Sequence, residues 1–216
     1  MLLLRPVLPM SRAQERYTLR IVALFAGIGG LEMGLEAAGV GHTIAQVEID
    51  PHCRRVLACH WPTVLRYPDV RLVQRSIPLA SGGSAIQCEL PAYDLLCAGF
   101  PCQDISTAGK GAGLDGERSG LWWEAVRIIR ATRPRFVVLE NVSALVVRGL
   151  DVVLGTLAQL GYDAEWSVLS AASVGAPHLR RRIFIIAWLP DAPGQRFGEG
   201  RTRGAATHGQ GRDAPG

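Results

Sequence analysis

The chain has 216 residues, 48% of them hydrophobic, which is enough for one sizeable core and short for two. Its 23 Lys and Arg against 19 Asp and Glu leave a formal charge of +4, a balance that permits a polyanionic partner without requiring one. The five cysteines, Cys53, Cys59, Cys88, Cys97 and Cys102, are odd in number and never form a CxxC pair, so they suggest neither a disulfide framework nor a zinc finger, and a reducing cytoplasm is expected.

Residues 1–10 are apolar but broken by Arg5, Pro6 and Pro9, which argues against a membrane span or signal peptide, and residues 1–18 are expected to be a disordered leader. From Arg20 onward, short β-branched runs alternate with amphipathic stretches, the pattern of a mostly parallel sheet with crossover helices. Strands are predicted at 21–25, 43–48, 94–98, 136–140, 162–169 and 182–188, and helices at 30–39, 51–60, 119–131 and 149–160. Pro51 suits a first helical position, and Gly39 and Gly161 suit C-terminal caps. Residues 19–189 thus form the expected domain. Asp191–Gly216 has seven glycines and no Leu, Ile, Val or Met, so residues 190–216 are expected to be a disordered tail. Thr107–Gly120, Gly-rich between two patterned elements, is expected to be a mobile functional loop.

The first strand runs into a glycine turn, Phe25-Ala26-Gly27-Ile28-Gly29-Gly30, where a ligand can approach the backbone closely. A dinucleotide fingerprint would require glycine at position 32, but Glu32 stands there, which weakens a NAD reading. Glu48 ends the second predicted strand, where a carboxylate can accept both ribose hydroxyls. A nucleoside-bearing cofactor follows, and the pattern resembles the S-adenosylmethionine site of class I methyltransferases. The third well-marked strand leads into Gly99-Phe100-Pro101-Cys102-Gln103, so Cys102 falls at the carboxyl edge of the sheet, where α/β proteins bind ligands. A thiolate there is a nucleophile. Cys53, Cys59 and Cys88 lack such a setting, and Cys97 lies within a strand.

Taken in order, Leu24-Phe-Ala-Gly-Ile-Gly-Gly30, Gly99-Phe-Pro-Cys-Gln-Asp-Ile-Ser106, Glu140-Asn-Val142 and Gly175-Ala-Pro-His-Leu-Arg-Arg-Arg-Ile-Phe-Ile185 resemble the motif set of DNA cytosine-5 methyltransferases. The resemblance covers about residues 19–189. It implies an α/β, Rossmann-like class I methyltransferase fold, a mostly parallel sheet with helices on both faces. It implies transfer of a methyl group from S-adenosyl-L-methionine to C5 of a flipped-out cytosine in double-stranded DNA, through a covalent Cys102 adduct.

Within the resemblance, Glu140 is the acid at N3, Arg182 holds the O2 edge of the base, and Arg180 is its partner. Phe25 packs on adenine, Gly27, Gly29 and Gly30 leave room, Glu48 binds the ribose, and Asp69 takes the adenine amino group. Ile49, Val70, Pro101 and Leu121 complete the cofactor site. His178 stands where relatives often carry glutamine, and Ala23 where many carry Asp. Lys110 and Arg118 on the 107–120 loop are candidates for phosphate contacts. No metal and no membrane are implied.

Family members normally continue into a target-recognition region and a last motif that completes the cofactor pocket. The residues after Leu189 lack the apolar content to fold into either, so a second chain supplying the recognition region is a possible partner. An RNA cytosine methyltransferase and a catalytically silent remnant are the alternatives.

Overall fold

The computed structural model describes residues 18–78, 83–101 and 120–190. The expected leader, the tail beyond Pro190, Cys102 and residues 107–119, with Lys110 and Arg118, lie outside the described residues.

Among the described residues there are nine strands and five α-helices, and the six strands and four helices that the hydrophobic pattern predicts are all among them. In chain order the strands are β1 (Leu19–Leu24), β2 (Gly41–Val47), β3 (Leu65–Tyr67), β4 (Arg75–Pro78), β5 (Ser84–Gln87), β6 (Leu95–Gly99), β7 (Phe136–Val142), β8 (Asp163–Ser170) and β9 (Arg181–Trp188). The helices are α1 (Gly30–Ala37), α2 (Pro51–His60), α3 (Leu121–Thr132), α4 (Leu145–Arg148) and α5 (Leu150–Gln159).

Seven strands form one sheet in the order β3-β2-β1-β6-β7-β9-β8, and β4 and β5 form a separate hairpin. The inner strands β2, β1, β6 and β7 run parallel with β3, while β9 is antiparallel to both β7 and β8. The mostly parallel sheet is as predicted. Insertion of the last strand between β7 and β8 was not, because spatial strand order is not a local property of the sequence.

Alternation along β1 explains the two layers. Val22 and Leu24 face a large core shared with α3, α4 and α5, whereas Ile21 and Ala23 face a smaller one shared with α1 and α2. The larger core holds Trp122, Ile128, Ile129, Leu139, Leu145, Leu157 and Ile183, each effectively buried; at about 25 cal/mol per Å² of apolar surface, this is the principal stabilising mass of the domain.

The helix ends follow their local chemistry. Asp50 caps α2 by accepting from the amides of His52 and Cys53 at 2.6 and 3.0 Å, with Pro51 as the first helical residue. Gly39 and Gly161 both adopt left-handed backbone just past a helix. The predicted helix 149–160 is α5, with Gly149 at its N-terminal cap, and the single turn α4 just before it was not predicted. The strand β3 and the β4–β5 hairpin escape prediction because they are only three or four residues long and do not alternate clearly.

Candidate active site

Where β1, β2 and β6 end together, their loops enclose a cavity of about 280 Å³ lined by Phe25, Val47, Glu48, Ile49, Asp69, Val70, Arg71, Gly99, Pro101 and Leu121. Eight of the expected cofactor residues therefore meet: Phe25, Glu48, Ile49, Asp69, Val70, Pro101 and Leu121 on the walls, with Gly27 beside them. Gly27 is fixed through its amide, which donates to Glu48 Oε2 at 2.7 Å. The other oxygen, Oε1, accepts the amide of Asp50 at 2.8 Å. Glu48 thus braces the glycine turn while standing one residue beyond β2. Arg54 holds the connection from β2 to α2 by donating to the carbonyls of Glu48 and Ile49, at 2.8 and 2.6 Å.

The three glycines do different things. Gly27 has φ +56°, a backbone that side chains rarely adopt, in otherwise open space. Gly29 has φ +90°, and a Cβ there would come within 2.4 Å of the Trp61 ring. Its smallness serves packing against α2. Gly30 is already helical, and a Cβ there would meet nothing within 4 Å, so the protein itself makes no steric demand for glycine at that position. Phe25 also has positive φ, 55°, a strained conformation for an aromatic residue of the kind that gathers at ligand sites.

A second, larger cavity of about 840 Å³ adjoins the first and is lined by, among others, Phe25, Gly99, Glu140, Arg180 and Arg182. Glu140 lies near the end of β7 and Arg182 at the start of antiparallel β9; the register pairs Val142 with Arg182 and Glu140 with Phe184. Two residues 42 positions apart in the chain are thereby brought into an ion pair, with Arg182 Nε donating to Glu140 Oε1 at 2.8 Å. Gly99 makes room for it: a Cβ there would approach Glu140 Oε2 to 3.2 Å. Arg180 stands exposed on the same rim with φ 24°, and His178 is exposed on the preceding turn.

Asn141 lies within the Glu140–Val142 motif, and residue-by-residue reasoning left it without a role. It is 4% exposed, and its Nδ2 donates to the Phe100 carbonyl at 2.8 Å. That bond ties the end of β7 to the end of β6, immediately before Pro101 and Cys102. Glu32 is the other surprise. It is 1% exposed beneath the glycine turn and lines the larger cavity, and burial pushes its pKa up to about 7, helped by the nearby Glu36 and Glu48 charges. The Gln46 amide donates to it at 3.4 Å.

The residues that build these strand ends fall within the match of a family model described as C-5 cytosine-specific DNA methylase, over residues 19–204. The chain belongs to that family. Curated relatives within this C-5 cytosine methylase family include the type II methyltransferase M.NlaIV of Neisseria lactamica, 32% identical over 195 residues, which cover 83% of this chain and 43% of that protein. The type II methyltransferase M2.BsuMI of Bacillus subtilis is 34% identical over 184 residues, covering 81% and 43%.

Among solved structures, a DNMT2 mutant of Spodoptera frugiperda superposes with a TM-score of 0.59 at 19% identity, covering 81% of this chain and 51% of that one; the likeness is one of fold. The chain spans about half the length of the curated relatives it matches. Its sheet and helices are the Rossmann-like fold of class I methyltransferases, as the motifs imply.

Among the described residues, no group of three or more His, Cys, Asp or Glu is placed to hold a metal ion, and no helix is long and apolar enough to cross a membrane. Cys53, Cys59, Cys88 and Cys97 are free thiols, and burial holds Cys97 well above the usual thiol range.

Proposed function

We propose that residues 19–189 are the catalytic domain of a DNA cytosine-5 methyltransferase that takes S-adenosyl-L-methionine as methyl donor. The observation that carries this reading is the Glu140–Arg182 pair, set at the carboxyl edge of the sheet beside the apolar and acidic cavity. The cavity fits the cofactor: Phe25, Ile49, Val70 and Leu121 offer apolar surface for a purine, and Glu48 and Asp69 offer acceptors for hydroxyl and amino groups. When bound, S-adenosylmethionine would supply a sulfonium methyl group as the electrophile.

The residues of the chain would do the rest. A cytosine in a duplex hides C6 within the stack, so the base must be flipped out at a cost of a few kcal/mol. Arg182 and Arg180 would then hold its O2 edge, and Glu140 would donate a hydrogen bond or proton at N3. Cys102, as thiolate, would form a bond to C6, which makes C5 nucleophilic. After C5 is methylated it loses its proton to water, the S–C6 bond breaks, and 5-methylcytosine leaves. To donate at N3, Glu140 would part from Arg182 as the base enters and take up a proton, which it would recover from N3 when 5-methylcytosine is released.

Choice of target sequence falls to the portion of the relatives' length that this chain does not span, carried on the same or on a second polypeptide. The test is incubation with tritiated S-adenosylmethionine and duplex DNA containing 5-fluorocytosine, in which fluorine blocks the final elimination. A denaturant-stable adduct is expected with the unsubstituted protein and none with Cys102→Ser. No adduct, with or without a recognition chain added, would favour a silent remnant; adducts formed only on RNA would move the substrate class.

A further inference from the structure

The wall of the smaller cavity that carries Asp69 and Val70 belongs to neither strand nor helix. Residues 68–74 follow β3, and within them only turn bonds are made, from Leu72 to the Asp69 carbonyl at 3.1 Å and from Val73 to the Val70 carbonyl at 3.3 Å. The carboxylate of Asp69 is likewise held locally, accepting the amide of Arg71 at 2.9 Å. Such contacts shape the segment but leave its place relative to the sheet to other groups.

Val70 and Val73 anchor it by burial in the larger core and Gln74 donates its amide to the Cys88 carbonyl at 3.3 Å, while its carbonyls are gathered by one side chain. Arg127, on α3, donates through Nη2 to the carbonyls of Val70 and Val73 at 3.1 and 2.7 Å, and through Nη1 to that of Gln74 at 2.9 Å. Its Nε donates to Glu124 Oε2 at 2.8 Å, which sets the plane of the guanidinium. Glu124 also receives Arg75 Nη2 at 3.0 Å, and Arg75 Nε in turn donates to the Arg71 carbonyl at 2.6 Å. Helix α3 begins at Leu121, which itself lines the cavity. Arg127 is not among the lining residues, so it acts on the cavity only through the segment it holds. A planar fork with five donors can serve three carbonyls and a carboxylate at once; a lysine ammonium cannot.

We infer that Arg127 is a positioning residue for purine recognition: it clamps the 68–74 segment to α3 and thereby fixes where the Asp69 carboxylate and the Val70 backbone meet the base of the cofactor. This rests on the S-adenosylmethionine reading above and adds to it the device that sets purine selectivity. Without the clamp, three carbonyls turn to water and Asp69 loses its fixed position. A ligand that needs Asp69 should then suffer more than one that does not.

The experiment measures, by calorimetry on the full chain, binding of S-adenosylhomocysteine and of its inosine counterpart, in which a carbonyl replaces the purine amino group. The unsubstituted protein is expected to prefer the adenosyl ligand. In Arg127→Met that preference should shrink by about tenfold or more, the scale of one charge-assisted hydrogen bond, with the inosyl affinity nearly unchanged. Arg127→Lys should fall between. Glu124→Gln, which weakens the orientation of the fork and leaves the core intact, should reproduce a smaller loss and serves if Arg127→Met does not fold. Equal loss of both ligands would mean a merely structural arginine and overturn the inference, as would an unchanged preference or an unsubstituted protein that does not discriminate. Failure of the unsubstituted protein to bind either ligand would instead overturn the cofactor assignment itself.

Discussion

Replacing Glu32 with glutamine should remove most of the pH dependence of stability between pH 5 and 8. The carboxyl is 1% exposed, and its folded-state pKa of about 7 stands above an ordinary value of 4.5. For a carboxyl raised in this way, stability is fully present below 4.5, where folded and unfolded chains both keep the proton. As pH rises, the unfolded chain releases its proton first, and the folded state loses relative stability until it too ionises around pH 7. At ~1.4 kcal/mol per pH unit, the loss accumulated by pH 8 is roughly 3 kcal/mol, of which less than about 1 has been incurred at pH 5.

Glutamine has the same shape and never ionises. It also offers a donor to Gln46 Oε1, which has no hydrogen-bond partner among the described residues. Urea unfolding followed by tryptophan fluorescence at pH 5, 6, 7 and 8 is the assay. Glu32→Gln should exceed the unsubstituted protein by roughly 2–3 kcal/mol at pH 8 and lie within about 1 kcal/mol at pH 5. Parallel stability curves for the two proteins across this range would refute the assignment of a buried neutral carboxyl.

Two further substitutions separate packing from ligand effects at the strand ends. Gly29→Ala places a Cβ against Trp61 at 2.4 Å on a backbone with φ +90° and should cost about 2–4 kcal/mol in a chemical melt, whereas Gly30→Ala, with open space around it, should stay within about 0.5 kcal/mol of the parent or gain slightly from helix propensity; equal effects would contradict the packing account. Asn141→Ala strips the Phe100 carbonyl of its donor and should destabilise by about 1–3 kcal/mol, and in the 5-fluorocytosine assay it should slow adduct formation with little change in cofactor affinity, since the bond lies on the Cys102 side of the site.

The two levels of information divided along physical lines. Apolar spacing is a local property, so the period of each segment was enough to place β1, β2, β6, β7, α1, α2 and α3 to within a residue or two. The motif at Gly99–Gln103 likewise named its chemistry through residue types alone. Glu48 was legible for the same reason, as an acid just past a strand at a set distance from a glycine turn. Glu32 showed only as the residue that spoils a dinucleotide fingerprint, because burial of a carboxyl depends on what α1 is pressed against.

The sequence by itself determined the family, the alternation of strands and helices, and the identities of Cys102, Glu140, Arg182, Glu48 and Asp69 as candidates. It did so because those features rest on residue type and on spacing within a few turns of chain. Only the tertiary structure decided that β9 runs antiparallel between β7 and β8, which brings Arg182 to 2.8 Å from Glu140. It alone decided that Arg127 reaches across more than fifty residues of chain to hold the wall of the cavity. Such pairings join segments that contact one another only after the sheet has formed, and no spacing in the chain encodes them.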